Sequence, residues 1–289
     1  YNLHFSANDT FGHTTTINTN PSIATVQHQS NATAAVLEGG LSYHNLQLNM
    51  TNISDWSVTA YLVWNGTNMG YGTVTFPTAN IAVINKTITT PAVPGSDLNP
   101  TVYSTWYYSV GSYSSSVTGS QSVFTILFGP CSPTLTYKVL NLTFVDETTN
   151  LPMNATMDAS SWAYTFGGAS KTFVFSNVTH NNHYDFCIYP SSIPYLTSTE
   201  TLQYSNSESG TYPQRTMIYA NDNYFNNSLT TKYLYLLDFN HGVASTYQVI
   251  TVGNQVIAGA HITVTRVIGG NTTLITDGYT DSSGNIGFF

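Results

Sequence analysis

The chain of 289 residues carries very little charge, and most of that charge is negative. Charged residues make up 7% of the sequence, with six Lys and Arg against fourteen Asp and Glu. Nucleic-acid backbones and anionic membrane surfaces are both bound through clustered Lys and Arg. The six cations here are scattered singly, at Lys86, Lys138, Lys171, Arg215, Lys232 and Arg266. We therefore expect no nucleic-acid partner and no charge-driven membrane binding.

Long apolar runs and catalytic motifs are missing as well. The sequence has no run of about 18 apolar residues, so we expect no direct membrane insertion within it. It has no Gly-x-Ser-x-Gly elbow, no phosphate-binding glycine-rich loop and no His-Glu-x-x-His helix. The acidic pair Asp146-Glu147 shows no signal that separates two pKa values, as an acid/base pair requires. The sequence predicts a protein that is not an enzyme and has no cofactor.

Aromatic residues, by contrast, are plentiful. They make up 13% of the chain, with 21 Tyr and 14 Phe. Disordered chains are poor in aromatics, so this chain is expected to bury a sizeable core. Its length suits two or three domains of about 100–150 residues each.

Asn, Ser and Thr replace charge as the source of solubility. The sequence contains eleven Asn-x-Ser/Thr sequons, against about seven expected by chance in this composition. Most lie where a strand pattern begins or ends, and N-linked glycans there would form the solubilising layer. The eleven asparagines are Asn8, Asn31, Asn49, Asn52, Asn65, Asn85, Asn141, Asn154, Asn177, Asn226 and Asn271. We expect glycans on several of these asparagines, and above all on Asn65 and Asn154, because each starts a polar turn between apolar runs.

Only two cysteines are present, Cys131 and Cys187. A disulfide between them would close a loop worth about 4 kcal/mol in the chain-entropy model, and two free buried thiols are the alternative. The chain opens at Tyr1, with no methionine, charged segment or apolar segment before it. A removed signal peptide and a trimmed chain both explain this start.

Apolar residues alternate with polar ones along most of the chain, and a helical period is nearly absent. Residues 56–64 show the alternation well, since Trp56, Val58 and Trp64 share one face. It returns at 101–110, with Trp106 and Tyr108 on one face. About seven short strands, separated by turns such as Glu-Gly-Gly at 38–40, indicate an immunoglobulin-like sandwich.

A proline-containing segment divides the chain further. Gly-Pro-Cys-Ser-Pro at 129–133 cannot continue a central strand, because proline lacks the N–H that a sheet needs. The sequence therefore predicts an all-β chain of tandem immunoglobulin-like β-sandwich domains with an incomplete C-terminal module. The predicted divisions are an N-terminal strand or arm at 1–30, sandwiches at 31–130 and 131–240, and a partial module at 241–289.

Two stretches resemble known families. Gly259-Ala260-His261-Ile262-Thr263-Val264, followed by Gly278-Tyr279-Thr280-Asp281-Ser282-Ser283-Gly284, resembles the carboxypeptidase-regulatory or transthyretin-like modules, over about 45 residues. The resemblance implies an immunoglobulin-like fold and nothing about activity. The stretches 140–147 and 187–190 lie within 131–240, which is similar to repeats of large surface proteins of archaea and archaeal viruses.

The C-terminal module would hold only four strands, where such modules carry about seven. Either the natural chain continues beyond Phe289, or a strand from outside completes the sheet. The N-terminal segment offers one candidate, because Tyr1, Leu3 and Phe5 alternate with polar residues. This segment is either the first strand of its own sandwich or a donor strand for a neighbouring copy.

Three short motifs suggest ligands. His180, His183 and Asp185 have metal-like spacing, but no further nitrogen or thiolate ligand is near, so we interpret the motif as a hairpin turn. Asn221-Asp222-Asn223 and the loop at 281–284 hold oxygens of the kind calcium accepts, although tight turns explain both.

Aromatics at 103–108 offer a further binding surface. Tyr103 and the run Trp106-Tyr107-Tyr108 would stack on sugar rings if they are exposed. Alternation places one of the two faces in the core.

These features favour a structural glycoprotein subunit of an extracellular assembly: a filament, a surface layer or a virion surface. Its partners would be copies of itself, with other surface proteins or host glycans as further candidates. The alternative is a cell-surface adhesin or carbohydrate-binding ectodomain, and an enzyme ranks third.

Overall fold

The computed structural model describes residues 25–51, 57–93, 97–206 and 211–289, and the backbone alone of 3–8 and 14–19. Tyr1, Trp56, Asn52 and the side chains of Leu3, Phe5 and Asn8 lie outside the described residues. Where it is described, the chain is almost entirely β-strand, with one short 3-10 helix at Phe239–His241. No helix among these residues has the length and apolarity needed to cross a membrane.

The contacts within the chain divide it into two compact units. Unit 1 comprises 1–36, 41–89 and 100–123, and unit 2 comprises 37–40, 90–99 and 124–289. The strands up to residue 124 are β1 (Leu3–Asn8), β2 (Thr14–Thr19), β3 (Thr25–Ala32), β4 (Ala35–Leu37), β5 (Leu41–Thr51), β6 (Val58–Trp64), β7 (Thr67–Tyr71), β8 (Thr73–Thr78), β9 (Ile81–Thr89), β10 (Thr101–Val110) and β11 (Tyr113–Phe124).

Unit 1 contains a sandwich of two antiparallel sheets. One sheet has the order β4-β11-β10-β6-β7 and the other β3-β5-β9-β8, while β1 and β2 pair with each other. The alternation predicted at 101–110 is confirmed, because Val102, Trp106 and Tyr108 are buried and Tyr103 and Tyr107 are exposed. Strand β3 begins inside the segment 1–30, which was predicted as an N-terminal strand or arm, and it pairs with β5 along its whole length.

A buried polar network lies in the core of unit 1. Gln121 accepts a hydrogen bond from the Trp64 indole at 2.8 Å and donates to Ser42 Oγ at 3.0 Å. His44 is only 2% exposed, and its Nε2 lies 3.0 Å from Ser42 Oγ. Burial lowers the pKa of His44 to about 4, because the charged imidazolium loses its hydration.

We expect His44 to make unit 1 sensitive to mild acid. The unfolded chain takes up a proton near the ordinary histidine pKa, while the folded chain resists it until about pH 4. This stability is therefore present at pH 7 and lost between about pH 6.5 and 4, by about 2–3 kcal/mol. Urea unfolding at pH 7 and pH 4.5 measures it, and His44→Gln should remove that part of the pH dependence. An unchanged pH dependence in the variant would contradict the assignment.

Unit 2 contains a second sandwich and two smaller sheets. Its strands are β12 (Leu127–Pro130), β13 (Tyr137–Asp146), β14 (Ala155–Phe166), β15 (Ala169–Asn181), β16 (His183–Tyr189), β17 (Tyr195–Asn206), β18 (Tyr212–Phe225), β19 (Thr230–Leu236), β20 (Ser245–Gln248), β21 (His261–Ile268), β22 (Asn271–Tyr279) and β23 (Asn285–Phe288). The sandwich sheets have the orders β12-β16-β13-β19 and β15-β14-β17-β18, and β20 pairs with β23 and β21 with β22.

The segment 131–240, predicted as a sandwich, holds the strands β13 to β19, and their inner faces build one aromatic core. Phe128 stacks on Phe186 with ring centroids 5.6 Å apart, and Trp162 lies 4.8 Å from Phe186. Strand β12 ends at Pro130, just before the predicted division, because an edge strand tolerates a proline that a central strand does not. The fold class predicted from the sequence, an all-β chain of sandwich domains, is confirmed.

Candidate functional site

The structure joins Cys131 to Cys187 in a disulfide, with their Cα atoms 4.9 Å apart. Cys187 lies on β16 between β12 and β13, opposite Gly129 and Lys138. The bond therefore ties the segment that follows the edge strand β12 to the middle of its own sheet. The described residues contain no free cysteine.

Removing this disulfide should destabilise unit 2 substantially. Cys131→Ser leaves the buried Cys187 unchanged and is expected to lower the free energy of unfolding by about 3–4 kcal/mol, because the unfolded chain regains its freedom. Thr136→Ala, at an exposed position of the same connection, is the control and should cost less than about 0.5 kcal/mol. Denaturant titration measures both, and equal effects would contradict the prediction.

The exposed face of the first sandwich carries a group of three tyrosines, which we call the tyrosine face: Tyr61, Tyr71 and Tyr107. The rings of Tyr61 and Tyr107 stack with centroids 5.2 Å apart, and Tyr71 meets Tyr61 edge-on at 5.9 Å. Hydroxyls of Thr59, Ser109 and Ser115 line the same shallow depression. The structure thus places Trp106 and Tyr108 in the core and Tyr103 and Tyr107 on the exposed face.

The predicted sequons differ in how accessible they are. Six of the nine asparagine side chains that the structure describes are exposed: Asn31, Asn49, Asn65, Asn85, Asn154 and Asn271. Asn141, Asn177 and Asn226 are half-buried. Asn141 is the most engaged, since its Nδ2 donates to Asp185 at 2.7 Å and its Oδ1 accepts from Thr143 at 2.6 Å.

The motifs weighed as metal sites form ordinary turns and pairs. Asp185 is held by Lys138 at 2.5 Å, and His183 Nε2 lies 3.7 Å from the same carboxylate. In the loop at 281–284, Asp281 Oδ1 accepts from the backbone N–H groups of Ser283 and Asn285. No group of three or more His, Cys, Asp and Glu suited to a metal occurs among the described residues.

The third motif, Asn221-Asp222-Asn223, lies inside β18 rather than in a turn between strands. The pairing of β17 with β18 shifts between Ser198 and Glu200, and Asn221 has a left-handed φ of 59°. This bulge changes the phase of β18, so that Asp222 and Tyr224 point inward together with Tyr219.

Asp222 belongs to a buried group that we call the Lys232 cluster: Glu200, Tyr219, Asp222, Tyr224 and Lys232. Lys232 enters from β19, on the facing sheet, and its Nζ lies 2.7 Å from Glu200 Oε2 and 2.6 Å from Asp222 Oδ2. The same Nζ lies 3.7 Å from the centre of the Tyr219 ring. The Tyr224 hydroxyl donates to Glu200 Oε1.

Burial dominates the electrostatics of this cluster. Glu200 is fully buried, and desolvation raises its pKa even though Lys232 and the Tyr224 hydroxyl oppose the shift. Burial also raises the pKa of Tyr219 and Tyr224, next to the Glu200 charge. The cluster therefore holds one amine in contact with two carboxyl groups, and the amine and Glu200 are shielded from water while Asp222 is partly exposed.

A second buried ion pair joins Glu38 and Lys171 in unit 2. Glu38 is fully buried, and its Oε2 accepts from Lys171 Nζ at 2.7 Å and from the Ile126 N–H at 2.6 Å. Its Oε1 accepts from the Val93 N–H. One side chain thus fixes three separate segments of the chain.

Glu147 forms a third site with two arginines. Its carboxylate pairs with Arg215 at 2.7 Å, where both side chains are buried, and with the half-exposed Arg266 at 2.7 Å. Arg215 also donates to the backbone carbonyls of Tyr235 and Phe289. The sequence around Glu147 did not predict this role.

Comparisons with known proteins identify no family. No family model matches the chain, and no curated protein matches it. A DUF4785 family protein from Legionella pneumophila aligns at 11% identity and a TM-score of 0.23, covering 72% of this chain and 58% of its own length. Two structures titled marsupial T cell receptor align at 7% and 9% identity, covering 92% and 91% of this chain and 99% of theirs, with TM-scores of 0.25 and 0.20. TM-scores this low give no basis for inferring function, so any proposal rests on the chain's own residues.

Proposed function

We propose that the chain is a structural glycoprotein subunit of an extracellular assembly. The observation that carries the proposal is the placement of its cations. Five of the six pair with carboxylates of the same chain, and the sixth, Lys86, donates to a backbone carbonyl. Lys171, Arg215 and Lys232 therefore compensate carboxylates in the interior, and the more exposed Lys138 and Arg266 are also engaged by carboxylates of the chain.

The exposed sequons support the glycoprotein part of this proposal. Asn65 lies in the turn between β6 and β7, and Asn154 directly precedes β14; both side chains are exposed. An oligosaccharide needs the asparagine Nδ2 to be accessible, and Asn141 has committed its Nδ2 to Asp185. Disulfides persist in oxidising compartments outside the cytosol, which agrees with the same location.

Glycopeptide mass spectrometry of native material tests this part. We expect glycans on Asn65 and Asn154, and an unmodified Asn141 as the internal control. Unmodified asparagine at every sequon would overturn the glycoprotein assignment.

Copies of the chain itself are the proposed partners. In the C-terminal part of unit 2, β21 pairs only with β22 among the described residues, and Val243, Val252 and Val267 are largely exposed. The open edge of β21, which carries the exposed Val267, suits strand addition from a neighbour. Strand β1 is the proposed donor, and within its own chain it pairs only with β2 among the described residues.

Deleting residues 1–8 tests strand donation. The variant should remain folded, by circular dichroism, and lose the higher-order species that the full chain forms in sedimentation velocity. If the deletion leaves assembly unchanged, β1 is not the donor strand, and the copies associate through another surface.

A carbohydrate-binding role is the second candidate, and the tyrosine face favours it. Its stacked rings beside serine and threonine hydroxyls offer an apolar surface together with hydrogen-bonding groups. Glycan-array binding that is lost in Tyr107→Ala and kept in Tyr43→Ala, an exposed tyrosine on the other sheet, would support it. Absence of binding by the full chain would dismiss it.

A further inference from the structure

The Lys232 cluster brings together the three groups that an amide condensation requires. Lys232 Nζ is the amine, 2.6 Å from an oxygen of the Asp222 carboxyl. Glu200 Oε2 contacts the same amine at 2.7 Å, from the neighbouring strand. We propose that Lys232 and Asp222 become joined by an isopeptide bond between β19 and β18, with Glu200 moving the protons.

The surroundings of the cluster distinguish it from an ordinary ion pair. Lys232 is 8% exposed and Glu200 is fully buried, and the amine lies against the Tyr219 ring. Separated charges lose hydration in such a place, and burial raises the pKa of Glu200, which makes its carboxylate a better acceptor for a proton of the amine. A neutral amine is the nucleophile that the reaction needs.

The bonds that form and break balance without any external reactant. Nζ attacks Cγ of the Asp222 carboxyl, a C–N bond forms, and a C–O bond breaks. Glu200 accepts a proton from Nζ and delivers it to the departing oxygen, which leaves as water. The ammonium and carboxylate together thus become one amide and one water, and Glu200 ends in its starting state.

Contact between the reacting groups lowers the activation barrier of the reaction. Fixed reactants reach effective concentrations of about 10⁵–10⁸ M, far beyond those of free amines and acids in water. The Asp222 side chain is 37% exposed, so the released water has a path out.

A buried hydroxyl beside the carboxyl is a second, independent feature. Ser198 lies opposite Asp222 in the register of β17 and β18, and it is 1% exposed. Its Oγ is buried and has no hydrogen-bond partner in the structure. A free hydroxyl in this position suits the oxygen on which charge develops when Nζ attacks Cγ.

The chain contains its own matched control. Lys138 and Asp185 lie 2.5 Å apart, yet their side chains are 41% and 23% exposed. Lys138 is thus far more exposed than Lys232, which is 8% exposed, and no second carboxyl among the described residues contacts it in the way that Glu200 contacts Lys232. Its two residues should therefore remain unlinked.

Intact-mass measurement of the full chain tests the proposal. The chain should be produced without glycans, in a bacterial host that forms disulfides, and reduced before measurement. We expect a mass below the sequence value by one water, about 18 Da, and a cross-linked peptide that contains Asp222 and Lys232. The peptide that contains Lys138 and the peptide that contains Asp185 should not be cross-linked to each other. An unmodified mass, or a water loss located elsewhere, would overturn the proposal.

Variants distinguish loss of the cross-link from loss of folding. Asp222→Ala changes a partly exposed position and should give the unmodified mass, with an unchanged circular dichroism spectrum. Asp222→Asn should still react but lose ammonia, about 17 Da, since the leaving group changes. Glu200→Gln should leave the two side chains unlinked in folded protein. A cross-link that persists in folded Glu200→Gln would remove Glu200 from the mechanism.

Discussion

Replacing Gly39 by alanine should destabilise unit 2 by about 3–5 kcal/mol, which combines a left-handed backbone cost with overpacking. Gly39 has a φ of 72°, and a Cβ there would lie 2.0 Å from the backbone oxygen of Phe166. Gly167 faces it from the hairpin between β14 and β15, and its own Cβ would lie 2.1 Å from Gly39 O. Two backbones meet here, and no side chain can move aside.

Gly259→Ala is the matched control for this variant. Gly259 belongs to the same unit and has nearly the same φ, 70°, but nothing lies within 4 Å of a Cβ placed there. It should therefore cost only about 1–2 kcal/mol, the left-handed backbone cost alone. Urea unfolding measures the difference, and equal losses in both variants would show that the close approach to Phe166 is absent.

Replacing Glu38 by glutamine should cost about 3–5 kcal/mol, since it leaves the Lys171 charge largely buried and uncompensated. Glutamine also presents an amide donor to a site where Val93 N–H, Ile126 N–H and the lysine all donate. Both effects act on the same three segments. The free energy of unfolding, from denaturant titration, is the measurement.

Two further variants calibrate the Glu38 result. Lys138→Met removes a cation from the exposed pair with Asp185 and should cost less than about 1 kcal/mol. The double variant with Glu38→Gln and Lys171→Met should be less destabilised than the sum of the two single variants, because the pair acts as a unit. A Glu38→Gln cost as small as that of Lys138→Met would contradict the buried pair.

The core strands were predictable because apolar side chains alternate along them. Strand β10 coincides with the predicted run at 101–110, and its buried residues are the ones that the alternation selected. The first half of β11 was not predicted, since Tyr113 to Ser120 is dominated by Ser, Thr and Gly and has few buried side chains. The bounds of strand β3 were not predicted for the same reason, because its described side chains are exposed or half-buried.

The buried charges required the structure, although a signal was present. Glu200 lies between Ser198 and Leu202 in the inward phase of β17, and Lys232 precedes Leu234 in the inward phase of β19. A charged residue at an inward position needs a partner. Periodicity does not show which strands face each other, and the bulge at Asn221 moves Asp222 to the inside. The partners therefore could not be assigned from the sequence.

The proposed function connects these features. Buried ion pairs stabilise unit 2, uncharged polar side chains and exposed sequons cover the outside of the described chain, and an open sheet edge remains for a neighbour. Ion pairs that are shielded from water are less affected by salt than exposed ones. An extracellular structural protein meets variable ionic conditions, so this placement of charge suits the proposed role.

Electron microscopy of the extracellular material of the producing cells or particles, labelled with antibodies against unit 1, tests the central claim most directly. The structural-subunit account predicts label at regular intervals along a filament, layer or particle surface. Label that is sparse and irregular on a cell surface, together with a monomeric purified chain, would contradict it.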